Sequence, residues 1–167
     1  MHALILGALL AIDPSKSIAT FSVTHIFVEH VTGTVPIVSG SIDVPDGSTI
    51  PTHVEATLDP TRFKTDEPDR DAALQDPDWF DTKRFPTWTF ASTKIVPTAK
   101  GFTMDGNFTL HGVTQPEEIN VVVGGTPDHP TYLGTLQIDR HAFGMSKTRL
   151  DPVIGNLVDV TLAIKVK

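Results

Sequence analysis

The chain has 167 residues, of which 40% are hydrophobic, and this size suits one domain with a sizeable core. Acidic residues outnumber basic ones by 20 to 13, so the net charge of −7 provides no basic stripe for nucleic acid and repels an anionic lipid surface. The lack of cysteine excludes disulfides, thiol nucleophiles and thiolate metal sites, and it fits either a reducing or an oxidising compartment.

The first eleven residues, MHALILGALLA, form an apolar run that ends in alanine. This pattern is typical of the hydrophobic and cleavage regions of a signal peptide, but a basic start is missing and the run is short. Two interpretations of residues 1–11 therefore stand, a signal-peptide remnant and a first strand. Residues 12–167 are expected to form a single domain. Elsewhere no apolar run approaches the roughly 18 residues of a membrane helix, so no stable membrane insertion is expected.

Beyond residue 18, most of the chain alternates apolar and polar residues with the period of two that marks half-buried strands. The segment 31–44 is long enough for two strands or one bent strand. The turns between segments are short, which favours antiparallel neighbours, and the count is about eight strands. The alternating segments lie at 19–23, 54–58, 88–90, 102–110, 119–123, 136–138 and 158–166.

The segment 66–81 interrupts this alternation. Pro68 suits the first turn of a helix, and the run Ala72–Leu74 consists of helix formers. The pair Asp76–Pro77 would end that helix and cap one further turn, which carries Trp79. The sequence therefore predicts one short, interrupted helix among the strands.

Eight antiparallel strands, each with one apolar face, either stack as a sandwich or close on themselves. A closed barrel of eight strands is just wide enough to be filled by side chains or to hold one small ligand. Composition does not decide between a sandwich and a barrel.

Seven acidic residues in 66–81 raise the question of a calcium or acid/base site. They lack the central glycine and the closing glutamate of an EF-hand-type loop, and carboxylates near a helix N-terminus have capping and dipole roles. The seven histidines contain no HxH or HExxH pair, so no metal site is predicted. His25 shares the parity of Phe21 and Val23 and is the histidine expected to point inward. The motifs of serine nucleophiles, phosphate loops and dinucleotide binding are missing, so no catalytic residue is assigned.

Several motifs occur in an order that is typical of one family. The chain resembles the YceI-like family, lipocalin-type barrels that bind isoprenoid and other long-chain lipids, mostly in the bacterial periplasm. Lys16 and Thr24 depart from the residues that are common in this family. The matching motifs are D-x-x-x-S-x-x-x-F-x-V-x-H at 13–25, R-D-x-x-L-x-x-x-D-W-F-D at 70–81, F-P-x-W-x-F-x-S at 85–92, G-x-F-T-L-x-G-V-T-x-P at 106–116 and R-x-x-F-G at 140–144.

The resemblance implies an all-β fold, an extended lipocalin-like antiparallel eight-stranded β-barrel. It places a short interrupted helix, at about 66–81, near one barrel mouth and a lipid tail along the interior. No cofactor is expected apart from a bound lipid. His25, Arg70 and Arg140 are candidates for the mouth and the head group. The residues expected to face the interior are Phe21, Val23, Val35, Ile42, Trp88, Phe90, Phe102, Met104, Phe108, Leu136, Ile138, Val160 and Leu162.

The expected function is the non-catalytic binding, storage or transport of a long-chain amphiphile, namely a polyisoprenoid, an isoprenoid quinone or a fatty-acid derivative. Burial of a tail is favourable by about 0.8 kcal/mol per CH₂, so no charged contact is needed. One alternative is an enzyme acting on a lipid or small hydrophobic substrate with Asp71, Asp78 or His25 as acid/base groups. Another is a periplasmic stress or interaction protein. The expected location is periplasmic or secreted, with the cytoplasm left open because the signal is incomplete, and a homodimer is compatible with this interpretation.

Overall fold

The computed structural model describes residues 7–25, 29–146 and 148–167. Nine strands and one α-helix, α1 (Pro68–Leu74), are present in these ranges. The strands are β1 (Gly7–Ala11), β2 (Ile18–His25), β3 (Glu29–Pro45), β4 (His53–Leu58), β5 (Trp88–Pro97), β6 (Gly101–Leu110), β7 (Val113–Gly125), β8 (Pro130–Asp139) and β9 (Ile154–Lys165).

Eight of these strands form one closed antiparallel barrel in the order β3-β2-β9-β8-β7-β6-β5-β4, which closes because β4 also pairs with β3. Closure satisfies the edges that an open sheet would expose. The predicted eight-stranded antiparallel barrel is therefore confirmed, and the sandwich alternative is wrong.

The long strand β3 is one continuous element of 17 residues that changes partners along its length. Its first half pairs with β2, and its second half pairs with β4 on one side and with β1 on the other. A register shift between Ile37 and Ser39 bends the strand at the change of partner. The bent-strand alternative for 31–44 is therefore the one adopted.

The extra strand β1 continues the edge of β3 beyond the point where β2 ends, with Ala8 opposite Val44. Gly7–Ala11 is thus a strand in this fold, whereas residues 1–6 lie outside the described residues.

The barrel interior is built from same-parity residues on neighbouring strands. Phe21 lies opposite Val160, which in turn lies opposite Leu136, so one inward layer crosses β2, β9 and β8. Gly106 leaves room for the ring of Phe90, because a Cβ at that glycine would clash with the ring and lie 2.6 Å from the Ala91 carbonyl oxygen. The apolar parity seen in the sequence is the inner surface of the barrel.

The helix α1 is shorter than the predicted segment 66–81. Pro77 lacks an N–H group and disfavours a helical conformation at Asp76, so the helix does not continue. A turn follows, in which the Trp79 N–H group donates to the Asp76 carbonyl oxygen at 3.0 Å. Asp81 then takes a φ of 47°, in the left-handed region, and redirects the chain toward β5. In the part of the chain that the structure describes, no helix combines the length and the apolar character needed to cross a membrane.

Candidate functional site: two apolar chambers in the barrel

The larger of two cavities in the barrel lies beneath α1, and we call it the outer chamber. Its volume is about 470 Å³, within the range typical of small-molecule sites. Most of its wall is apolar. Its lining residues are Phe21, Val23, Val31, Gly33, Phe63, Thr65, Glu67, Asp69, Arg70, Ala73, Leu74, Trp79, Phe80, Trp88, Leu110, Ile138, Arg140, Met145, Leu150, Ile154 and Val158.

The smaller cavity, the inner chamber, has a volume of about 90 Å³ and occupies the other half of the barrel. Its lining residues are Ile12, Phe21, Ile37, Ile42, Pro51, Val54, Ala56, Leu58, Phe90, Phe102, Met104, Phe108, Ile119, Val121, Tyr132, Gly134, Leu136, Ile138, Val160, Leu162 and Ile164.

Tyr132 and the 46–52 loop meet at the far end of the inner chamber. The Tyr132 hydroxyl group donates a hydrogen bond to the Thr49 carbonyl oxygen at 3.0 Å. Burial raises the pKa of the Tyr132 phenol to about 12. A hydrogen bond from a neutral phenol therefore holds the 46–52 loop against this end of the barrel.

A layer of large side chains separates the two chambers. Phe21 and Ile138 line both of them, so they stand at the boundary. Trp88, on the outer side, packs edge-on against Phe21 with ring centroids 5.6 Å apart and against Phe108, on the inner side, at 6.3 Å. Edge-to-face contacts of this kind stabilise a fixed arrangement of rings. We call these four residues the partition.

Trp88 is the central side chain of the partition and is only 1% exposed. Its Nε1–H group has no hydrogen-bond partner among the described residues, although a buried donor of this kind usually costs about 1–3 kcal/mol when unpaired. Phe80 meets the indole at 87° with centroids 4.9 Å apart. Aromatic packing, and not a hydrogen bond, therefore holds Trp88.

The thirteen residues that parity predicts to face the interior divide between the chambers. Twelve of them line one chamber or both, and Val35 is fully buried in the wall and lines neither. Their contact with a ligand stays a prediction. Ten line the inner chamber, namely Phe21, Ile42, Phe90, Phe102, Met104, Phe108, Leu136, Ile138, Val160 and Leu162, and four line the outer one, namely Phe21, Val23, Trp88 and Ile138.

The helix α1 covers the outer chamber without burying any residue fully. Hydrogen bonds tether it to the segment before it: the Thr65 N–H and hydroxyl groups donate to the Asp71 carboxylate at 2.7 and 2.6 Å. After the helix, the Gln75 amide donates to the Pro60 carbonyl oxygen at 3.1 Å. Phe80, by contrast, is buried against Phe63. The helix is thus a lid held by a few polar bonds and one aromatic anchor.

Arg70 lies where α1 meets the outer chamber. Its guanidinium group donates to the Thr65 hydroxyl and carbonyl oxygens at 2.9 and 2.8 Å, and it lies 3.1 Å from the Glu67 carboxylate. Glu67 and Asp69 also line this part of the chamber. Two carboxylates against one guanidinium make this rim net negative.

Arg140 is the other cation that lines the outer chamber, and it is only 3% exposed. Its donors reach the carbonyl oxygens of Met145, Asp151, Ile154 and Gly155 at 2.5–3.3 Å and the Asp151 carboxylate at 2.7 Å. These five acceptors match the five N–H groups of a guanidinium. Arg140 therefore holds Met145 and the 151–155 segment together, and Met145 and Ile154 line the chamber.

The Asp151 carboxylate also accepts a hydrogen bond from His141 Nε2 at 2.6 Å. That bond, followed by those from Arg140, holds the pKa of Asp151 below its usual value. The rim at this side is consequently a paired cluster of charges.

The three acid/base candidates do not assemble in either chamber. The Asp71 carboxylate is engaged by Thr65, Asp78 is exposed, and neither residue lines a chamber. The side chain of His25 lies outside the described part of the structure. In the described ranges, no three acidic or histidine side chains group so as to hold a metal ion.

Sequence reasoning missed part of the outer chamber. Phe63, Leu150 and Ile154 line it, but they lie in or beside irregular segments where no period of two marks an inward face. Phe63 has a usable signal, since an aromatic residue just before the interrupted helix is a natural anchor for it. Parity carries no such signal for Leu150 or Ile154.

Comparisons with known proteins agree with this architecture. The YceI-like domain family matches residues 10–166. A UPF0312 protein of Vibrio parahaemolyticus is 28% identical over 154 residues, which cover 87% of this chain and 78% of that relative. Protein YceI of Escherichia coli is 25% identical over 118 residues, covering 71% of this chain and 62% of its own length.

Solved structures show the same fold. BcnA of Burkholderia cenocepacia superposes with a TM-score of 0.85 at 19% identity, covering 93% of this chain and 99% of that one. A domain from Saccharophagus degradans, described as polyisoprenoid binding and implicated in plant cell wall breakdown, gives a TM-score of 0.70 at 17% identity and covers 96% and 98% of the two chains. The family match extends over nearly the whole barrel, and the chain therefore belongs to the YceI-like family.

Proposed function

We propose that the protein binds, stores or transports a long-chain amphiphile without catalysing a reaction, and that the tail lies in the outer chamber. The observation that carries this proposal is an apolar chamber of about 470 Å³ beneath a lightly tethered helix. A polyisoprenoid, an isoprenoid quinone and a fatty-acid derivative each have a tail that such a wall would bury. The polyisoprenoid-binding description of the S. degradans domain supports the same class of ligand.

The chemistry of the chamber favours binding over reaction. A tail contributes about 0.8 kcal/mol for each CH₂ that leaves water, before the costs of association. The polar lining of the chamber is confined to the 65–70 segment and Arg140, and the donors of Arg140 are engaged by backbone carbonyl groups and by Asp151. These groups can orient a head group at the rim, while the rest of the wall takes the tail.

The net negative rim favours an uncharged head group. Glu67 and Asp69 would repel a carboxylate or phosphate at Arg70, which is already paired with Glu67. Charges at a partly exposed rim interact by about 1 kcal/mol or less, so the preference is expected to be severalfold and to weaken with salt. Palmitamide and palmitate share one tail, and the amide should bind more tightly at low ionic strength. Equal affinities would contradict this preference and leave tail binding untouched.

The binding test uses the two tryptophans of the chain, because both line the outer chamber. Titration with a long-chain prenyl alcohol should change their fluorescence saturably. Solvent extraction and mass spectrometry of the purified protein should identify a copurified amphiphile. No extracted lipid, together with no saturable change for any prenyl or acyl chain, would refute the proposal.

A matched pair of variants on α1 ties the signal to the chamber. Ala73 lines the outer chamber and Ala72 does not, although both lie on the exposed helix. Ala73→Trp adds an indole that fills chamber space and should weaken binding by about tenfold. Ala72→Trp adds the same ring toward solvent and should leave the affinity unchanged.

We also propose a periplasmic or secreted location. Cell fractionation followed by N-terminal sequencing tests the location, and recovery of the protein only from the cytosol would contradict it. A homodimer stays a prediction, which light scattering of the purified protein checks.

A further inference from the structure

The two chambers differ fivefold in volume, and the partition lies at their boundary. An apolar cavity of about 150 Å³ holds one benzene, or about 25 Å³ per carbon atom. On this scale the outer chamber, at about 470 Å³, has room for about 19 carbon atoms. The inner chamber, at about 90 Å³, has room for about four.

We propose that the partition acts as a ruler for the ligand's tail. Phe21 and Ile138 stop the tail at the floor of the outer chamber, so the protein prefers tails of about four isoprene units over tails twice that length. The inference rests on the proposed function and adds to it the length of the ligand and the residues that set it.

The packing of the partition explains why a longer tail does not simply push through. Phe21 meets Trp88 and Phe63 at centroid distances of 5.6 and 6.1 Å, so its ring is held on two sides. Trp88 in turn contacts Phe80 and Phe108. Close-packed interiors resist the displacement of such a ring, because each neighbour would have to move as well.

The inner half of the barrel offers little room to a longer tail. Branched and aromatic side chains fill the inner half, and the Tyr132 hydroxyl bond to Thr49 ties its end to the 46–52 loop. A tail that passed the partition would enter a space of about 90 Å³. The remaining carbon atoms of a long tail would therefore stay outside the wall and contribute little.

The experiment compares prenyl alcohols, which share one uncharged head group and differ only in length. The protein is incubated with an equimolar mixture of geranylgeraniol, with four isoprene units, and solanesol, with nine, in mixed micelles. The bound ligands are then quantified by extraction and mass spectrometry. We expect geranylgeraniol to be enriched by about tenfold or more, because solanesol cannot bury the second half of its tail.

Phe21→Ala removes the ring that lines both chambers and joins them into one. This variant should raise the ratio of bound solanesol to bound geranylgeraniol by about tenfold. Phe85→Ala is the matched control, since Phe85 lines neither chamber and its ring packs against His111 and Arg84, not against a residue of the partition. If Phe21→Ala does not fold, Ile138→Ala opens the partition from the other side and should shift the ratio in the same direction.

Each result decides a different statement. Equal retention of both alcohols by the unaltered protein overturns the ruler while the proposed function stands. Preference for geranylgeraniol that neither partition variant changes assigns the limit to other residues and also overturns the inference. Failure of every prenyl and acyl chain to bind removes the proposed function and the ruler with it.

Discussion

Replacement of Arg140 by alanine is expected to be among the more destabilising single changes in the barrel. Arg140 is 3% exposed, and its guanidinium group serves five acceptors: the carbonyl oxygens of Met145, Asp151, Ile154 and Gly155 and the Asp151 carboxylate. Alanine would leave these acceptors without their donors in a place that water reaches poorly. Met145 and the 151–155 segment, at the wall of the outer chamber, would lose the side chain that holds them together.

The magnitude follows from the type of interaction. Hydrogen bonds to a charged group contribute about 1.5–3 kcal/mol each, but five such values do not add, because the segment relaxes and Asp151 is partly exposed. Removal of one partner of a buried ion pair costs about 3–5 kcal/mol, and we expect Arg140→Ala to lower the free energy of unfolding by about this amount. For a domain of this size each kcal/mol changes the Tm by about 2–4 °C, so a fall near 10 °C is expected.

Urea denaturation at neutral pH, with parallel thermal melts, measures the effect. Arg140→Lys keeps the charge but offers three donors in place of five. Its free energy of unfolding should therefore lie between those of the parent protein and the alanine variant. Arg62→Ala is the control: the Arg62 side chain is 59% exposed and pairs at 2.8 Å with Asp59, whose side chain is 24% exposed, and pairs open to solvent are worth about 1 kcal/mol or less. An Arg140→Ala variant within 1 kcal/mol of the parent would refute this role of Arg140.

Three further predictions concern pH and the lid. Burial raises the pKa of Tyr132, the only tyrosine of the chain, to about 12. Phenolate absorbance should therefore stay absent above pH 10 until the protein unfolds, and the free energy of unfolding should fall as the phenol of the unfolded chain ionises. A phenol that titrates near pH 10 in the folded protein would contradict this prediction. The hydrogen bond from His141 is the main cause that lowers the pKa of Asp151. The stability that this carboxylate contributes is therefore present above pH 3.8, its usual pKa, and is lost as the pH falls through the lower pKa of the folded state. Asp151→Asn should make the urea midpoint less dependent on pH in this acid range, and an unchanged dependence would contradict the prediction. Asp71→Ala removes the bonds that tether α1, and ligand dissociation in stopped-flow fluorescence should accelerate by about threefold to tenfold, whereas Asp78→Ala, an exposed control, should not change it.

The strand pattern could be predicted from the sequence because a barrel wall has one apolar face. Every second residue of 102–110 and 158–166 is apolar, and most of these side chains line one of the chambers, namely Phe102, Met104, Phe108, Leu110, Val158, Val160, Leu162 and Ile164. The period of two is a property of the backbone, so local sequence is enough to reveal it. The bend in β3 was left open because two strands and one bent strand have the same alternation.

The role of Arg140 could not be predicted in this way. Its position in the R-x-x-F-G motif indicated a place near the mouth, and it does line the outer chamber. Four of its acceptors are backbone carbonyl groups in a segment 5 to 15 residues farther along the chain, and carbonyl groups are the same in every residue type. Only the path of that segment decides which of them meet the guanidinium group.

The amino-acid sequence by itself determined the antiparallel barrel, the interrupted helix and the apolar interior, since these follow from periodicity, from proline and from family motifs. The tertiary structure decided that the interior is two chambers of about 470 and 90 Å³ rather than one. The division depends on how Phe21, Trp88, Phe108 and Ile138, from four different strands, meet across the barrel. Strand parity predicts that each of these side chains points inward. Only the closure and register of the sheet bring them to the same height along the barrel axis.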